Sequence, residues 1–154
     1  MMPIERMRPE DFDAVFRLLS QSFPAGERRD AAGQRALLSD SAYRVDILRA
    51  PSGGVQAMMA WWDFDDFVFF EHFAVDPACR NGGIGGQMLD ALLARFDKPA
   101  CLEAELPETE LAARRIGFYE RHGFVLRTEI VSMELRPASD AGRDTVGEAA
   151  SFNL

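Results

Sequence analysis

Glu71-His72-Phe73-Ala74-Val75-Asp76-Pro77-Ala78-Cys79-Arg80-Asn81-Gly82-Gly83-Ile84-Gly85-Gly86 joins an apolar strand to a glycine loop and the first turn of a helix. Phe67 to Val75 is almost wholly apolar and rich in Phe and Val, which predicts a buried strand. Asp76-Pro77 stops it. Ile84, Met88, Leu89, Leu92, Leu93 and Phe96 then recur at helical spacing and predict a helix over Ile84 to Phe96. Four glycines stand at the junction, with Arg80 just before them. A helix N-terminus offers unpaired N–H groups and partial positive charge. Glycine lets a ligand approach the backbone, so the junction predicts an anion site, most simply for a phosphate or pyrophosphate.

The dinucleotide fingerprint G-x-G-x-x-G fails, because Met88 occupies its third glycine position after Gly83 and Gly85. The nucleotide hydrolase loop fails too, since no Gly-Lys-Ser/Thr follows. What remains is Arg80-x-x-Gly83-x-Gly85, preceded by Ala74-Val75-Asp76-Pro77, with Phe118-Tyr119-Glu120-Arg121-His122-Gly123-Phe124 downstream. The first motif resembles the acetyl-coenzyme A pyrophosphate loop of the GNAT superfamily of N-acetyltransferases, Arg/Gln-x-x-Gly-x-Gly/Ala. The second resembles that family's later signature. The resemblance spans Met2 to Arg136, nearly the whole chain.

Composition agrees. The chain has 154 residues, 47% of them apolar, which suits one packed domain. A single domain over 1–136 with a polar tail over 137–154 is expected. No apolar run is long enough for a transmembrane helix. The N-terminal residues lack the apolar core of a signal peptide. Cys79 and Cys101 show no metal spacing and no disulfide framework. A reduced cytoplasmic protein with no metal and no membrane association is the expectation. The 25 acidic against 17 basic residues give a formal charge of −8, which argues against general nucleic-acid binding. Coenzyme A is a polyanion, so basic groups must cluster locally at its site. Arg80, Arg114 and Arg115 are the candidates. The acidic remainder suits a cationic acceptor, or simply keeps the protein soluble.

A short first strand is expected over Pro3 to Met7. A helix opened by Pro9-Glu10-Asp11 follows, and a second runs to about Ser39 after a break at Ser22 to Arg29. Strands are expected over Tyr43 to Arg49 and Val55 to Trp62, joined by the turn Pro51-Ser52-Gly53-Gly54. Ala100 to Leu106 reads as a strand and Thr109 to His122 as a helix ended by Gly123. Phe124 to Arg136 carries one or two more strands. The order β-α-α-β-β-β-α-β-α-β predicts an α+β fold. The resemblance implies the same order, with a GNAT-like mixed, mostly antiparallel central sheet flanked by helices.

Acetyl transfer needs a base for the amine, an N–H donor for the oxyanion and an acid for the leaving thiolate. Glu71 is the only acid in an otherwise apolar strand, and a carboxylate there is costly unless solvated, paired or used. It is the candidate base. Regular alternation puts it on the face of Phe69 and Phe73, with His72 opposite, and a bulge would swap them. Pairing with a cation is its competing role. The resemblance implies Tyr119 as the acid; otherwise Tyr119 is a core aromatic of its helix. It also implies backbone contacts to the pantetheine arm from Phe73, Ala74 and Val75, and a pyrophosphate cradle of Asn81, Gly82, Gly83, Ile84, Gly85 and Gly86. The family's asparagine seven residues before the tyrosine is replaced here by Ala112. Arg114 and Arg115 are expected to compensate.

For the acceptor, the resemblance points to the turn between the first two helices. Phe23, Glu27 and, from the neighbouring hairpin, Trp61 are the candidates; paired Trp61 and Trp62 can pack an amine through cation–π contact. The implied function is an acetyl-CoA-dependent N-acetyltransferase acting on a primary amine of a small molecule or peptide, in a family whose members often form homodimers. The alternative is a coenzyme-binding sensor module without catalysis. An unrelated nucleotide-binding or interaction domain is a third reading.

Overall fold

A computed structural model describes residues 3–127 and 132–133. Seven strands form one sheet in the order β1-β2-β3-β4-β5-β7-β6. They are β1 (Ile4–Arg6), β2 (Tyr43–Arg49), β3 (Val55–Asp63), β4 (Val68–Val75), β5 (Ala100–Glu103), β6 (Leu126–Arg127) and β7 (Ser132–Met133). Four α-helices accompany them: α1 (Phe12–Ser22), α2 (Ala31–Leu37), α3 (Ile84–Leu93) and α4 (Glu110–Arg121). Only the β4–β5 ladder is parallel. The mixed, mostly antiparallel α+β sheet is therefore as expected. β6 and β7 lie in the span where one or two late strands were expected. The tail from Pro137 lies outside the described residues.

Side-chain alternation divides the core between the two faces of the sheet. Val45, Ile47, Met58, Ala60 and Ala74 pack against Val15, Leu18 and Leu19 of α1. Met59, Trp61, Phe70, Phe73 and Val75 pack against Met88, Leu89 and Leu92 of α3 and Ile116 and Tyr119 of α4. Caps define the helix ends. Asp30 accepts from Gly33 N at 2.7 Å ahead of α2, and Thr109 accepts from Ala112 N at 3.0 Å ahead of α4. Gly123, with φ +95°, ends α4 in the left-handed conformation that favours glycine.

Two irregularities of β4 shape everything that follows. The parallel ladder with β5 joins Val68, Phe69 and Phe70 to Ala100, Cys101 and Leu102 and goes no further. β5 ends at Glu103, short of the expected Leu106. On the other edge, Ala60 pairs with His72 but Trp61 pairs with Phe70. Glu71 is therefore an extra residue, a bulge that resets the alternation.

Candidate functional site

The loop after β4 is held by its own side chains. Asp76 accepts from Ala78 N at 2.9 Å, and Arg80 Nε donates to Val75 O at 3.3 Å. Asn81 and Gly83 both take left-handed φ, 68° and 76°. Gly83 caps α3 with no side-chain bond to the first turn, so those N–H groups face outward. The other glycines have different reasons to be there. A Cβ on Gly85 would lie 3.3 Å from Val75 Cγ2, which is close packing of α3 on β4. A Cβ on Gly86 would lie 3.0 Å from His122 Cε1, which is close packing on the end of α4.

A cavity of about 580 Å³ opens over this loop. Val75, Arg80, Asn81, Gly83, Ile84, Gly85, Gly86, Arg114 and Arg115 line it, all residues that the sequence proposed for the coenzyme. Phe73 and Ala74 do not; both are fully buried, on opposite faces of the sheet. Gly82 is not among the lining residues either. Leu111, Phe118 and Arg121 join from α4, and Cys79 from the loop. Sequence reading missed these four, although Arg114, Phe118 and Arg121 follow helical spacing on one face. Among the described residues, four arginines thus line the cavity and no acidic residue does, in a chain of net charge −8. Outward N–H groups, a helix N-terminus and guanidinium groups together make a strong polyanion site.

The opposite face of β4 carries the other chemistry. The bulge corrects the expected orientation of Glu71. Its side chain shares the α1–α2 face with His72 and does not follow Phe73 into the α3–α4 core. Glu71 Oε1 accepts from Arg29 Nη1, and Oε2 accepts from the Trp62 indole Nε1. Its side chain is 15% exposed. Trp62 packs edge-on to Tyr43 at 5.0 Å, and the Tyr43 hydroxyl accepts from Gln34 Nε2 at 2.6 Å. Burial pushes the Tyr43 phenol up to about 12.

Phe23 and Glu27 sit where the acceptor was expected, beside His72. The Phe23 ring meets the imidazole edge-on at 4.7 Å, and His72 Nε2 lies 3.0 Å from the Glu27 carbonyl oxygen. Trp61 is a correction. It points into the α3–α4 core, packs on Phe96 at 4.8 Å and donates its indole N–H to Asp46 at 2.7 Å. Adjacent residues of a strand face opposite ways, so Trp62, not Trp61, joins Glu71 on the α1–α2 face.

Tyr119 lies in the core with Ile116 and Phe124, 1% exposed, and is not among the cavity-lining residues; its neighbour Phe118 is. Burial pushes its phenol well above the ordinary tyrosine value, with the nearby Arg115 opposing. Tyr119 therefore keeps its proton across the neutral range. Among the described residues no group of three potential metal ligands occurs, and no helix is long and apolar enough to cross a membrane.

Residues 43–126 match the family model described as an acetyltransferase (GNAT) domain. A curated relative from Bacillus subtilis, "Putative acetyltransferase YjbC", is 32% identical over 108 residues. The match takes in 69% of this chain, which spans 54% of that relative, about half its length. A solved GNAT-family structure from Bacteroides thetaiotaomicron, also named as a putative acetyltransferase, is 34% identical with a TM-score of 0.74, over 82% of this chain and 74% of that one. A GNAT acetyltransferase from Brucella melitensis, solved with acetyl-CoA, shares the fold at 19% identity and a TM-score of 0.63, over 86% of each chain. The chain belongs to the GNAT acetyltransferase family.

Proposed function

We propose that this protein transfers the acetyl group of acetyl-CoA to a primary amine of a small molecule or peptide by direct attack. One observation carries the reading: a cavity lined by four arginines and the first turn of α3 includes Val75, which lies on the stretch of β4 beyond its last pairing with β5 at Phe70. A pyrophosphate fits the basic end. The pantetheine arm fits along the unpaired stretch of β4, whose backbone N–H groups can receive the thioester oxyanion. The amine then approaches from the α1–α2 face, where Glu71, Phe23 and Glu27 lie.

In the reaction the amine nitrogen attacks the thioester carbon, the C–S bond breaks, and the amine loses two protons. One goes to the base side at Glu71 and one to the departing sulfur. Tyr119, kept protonated by burial, is the donor to sulfur in this scheme. Lysine-like amines have a pKa near ~10, so the acceptor arrives charged and deprotonation is part of the work.

One observation favours the alternative, a coenzyme-binding module without turnover: both carboxylate oxygens of Glu71 already accept hydrogen bonds. A thiol-release assay with acetyl-CoA and three amine probes (propylamine, putrescine and a lysine-containing peptide with a free N-terminus) separates the two. Release above the acceptor-free background establishes transfer. Coenzyme binding with no release from any probe favours the sensor reading.

A further inference from the structure

Behind Glu71 lies a titratable side chain that this scheme leaves idle. His72 is 3% exposed. Its ring is held by the edge-on contact with Phe23 and by Nε2, 3.0 Å from the Glu27 carbonyl oxygen. A carbonyl oxygen only accepts, so the ring proton resides on Nε2 and Nδ1 presents a bare lone pair. Nδ1 is buried, has no hydrogen-bond partner among the described residues, and stands 3.5 Å from Oε1 of Glu71, another acceptor. Two acceptors set face to face at this distance have no bond to make until a proton arrives between them.

Resting on the acetyl-transfer reading above, we propose that the base is the Glu71–His72 pair, in which Glu71 takes the proton of the acceptor ammonium and passes it to Nδ1 of His72. The Glu71 side chain keeps 15% of its surface exposed, whereas the imidazole is buried. Both oxygens of Glu71 already accept hydrogen bonds, from Arg29 and Trp62, and the Nδ1 lone pair of His72 stands beside Oε1. After the relay, His72 is an imidazolium with both N–H groups directed at acceptors, the Glu27 carbonyl and Glu71 Oε1. The free amine attacks, its second proton goes to sulfur, and the imidazolium later returns the first to solvent, so one proton is released per acetyl transferred.

Every charged group facing the ring bears on its titration. Burial holds the imidazole below the ordinary histidine value. The Glu27 carbonyl bond and the charges of Glu71 and Glu27 oppose this, while Arg29 on the α1–α2 connection adds to it. The free protein thus keeps His72 neutral at pH 7, ready to accept. His72 acts through Glu71 and is a positioning residue, not one that touches substrate.

Two measurements test the pair. The first needs no acceptor: nitrogen NMR of the ¹⁵N-histidine-labelled protein at pH 7. Neutral His72 with its proton on Nε2 supports the relay; a proton on Nδ1, or an imidazolium, overturns it, since Nδ1 would then be occupied. The second compares wild type with His72→Gln and Glu71→Gln in the thiol-release assay from pH 6 to 9, at saturating acetyl-CoA. The wild-type to variant ratio cancels the amine's own titration.

The relay predicts that His72→Gln lowers kcat about 10²-fold, within the usual range for a proton-transfer group, and removes one inflection from the profile. Acetyl-CoA affinity, measured by calorimetry, stays unchanged and shows that the variant is folded. If His72→Gln keeps the wild-type profile while Glu71→Gln is slow, Glu71 is the base alone. If no probe amine turns over although acetyl-CoA binds, the acetyl-transfer reading fails and the relay with it. The NMR result stands apart from that outcome and tells whether the ring was poised as proposed.

Discussion

The two faces of β4 are built on different plans. The proposed coenzyme side is made of a loop with two left-handed residues, the first turn of α3, and arginines of α4, Arg114 and Arg121 standing two turns apart. Its lining falls in two short runs of sequence, 75–86 and 111–121. The proposed acceptor side is made of side chains brought from afar, Arg29 to Glu71 across 42 residues and His72 to Glu27 across 45. The first can be read from spacing because helix and turn geometry turn spacing into position. The second depends on one bulge, which decides the face on which two consecutive titratable residues point.

The contrast predicts that variants on the acceptor side change turnover and leave coenzyme affinity alone. Glu71→Gln has the largest expected effect: kcat falls about 10²- to 10⁴-fold, the range for a lost base, with acetyl-CoA affinity within twofold of wild type by calorimetry. A fall in affinity of the same size would mean that the two faces are not separate.

Tyr119→Phe comes next, with kcat lowered about 10²-fold if the phenol donates to sulfur. Because Tyr119 is packed in the core and Phe118 lines the cavity instead, unchanged turnover would return Tyr119 to a purely structural role. The thiol-release assay decides.

The glycine loop, the arginine before it, the strand–helix junction and the order of elements were all legible, since each rests on local pattern. Three things were not. The orientation of Glu71 needed the register of β3, which places Ala60 opposite His72 and leaves Glu71 without a partner. The choice between Trp61 and Trp62 needed the same register. Of the four glycines in the loop, Gly83 alone is required by its own backbone angle, whereas Gly85 and Gly86 answer to Val75 and His122, residues met only in three dimensions. That last point bears on experiment. A large residue at Gly85 would disturb the packing of α3 on β4 as well as any ligand, so it is an ambiguous control for coenzyme binding.

Smaller effects sharpen the comparison through stability. His72 titrates lower in the folded chain than its ordinary 6.5, because burial penalises the charged ring. Below that value the unfolded chain binds the extra proton and the folded one does not, so stability falls as pH drops from 6.5 toward the folded value. The slope is at most about 1.4 kcal/mol per pH unit for one proton. Urea unfolding from pH 5 to 8 should show it in wild type and lose it in His72→Gln. An equal slope in both would assign it to other groups.

The smallest effect is expected at Asp46, buried in β2 with the Trp61 indole on it. Burial raises its carboxyl above the ordinary value, with the Trp61 bond and Arg95, Arg6 and Arg44 opposing. Its charge is therefore a cost that appears as pH rises above the usual carboxylate range. Asp46→Asn keeps an oxygen for the indole and should leave stability at pH 7 unchanged or raised by up to about 1 kcal/mol. A loss of several kcal/mol would show that the charge itself holds the β2–β3 pair.

The most direct test of the coenzyme cleft is calorimetric titration of acetyl-CoA into wild type and into the double variant Arg114→Glu/Arg121→Glu. Both arginines are exposed, line the cavity, and can be reversed without touching the core. Micromolar-range binding to wild type is expected. In the variant the affinity should fall about 10²-fold or more, the size expected when charged hydrogen bonds to phosphate are replaced by repulsion, with the unfolding midpoint unchanged. Equal affinity in the two proteins, or no binding to wild type, would contradict the claim that this cleft holds the coenzyme.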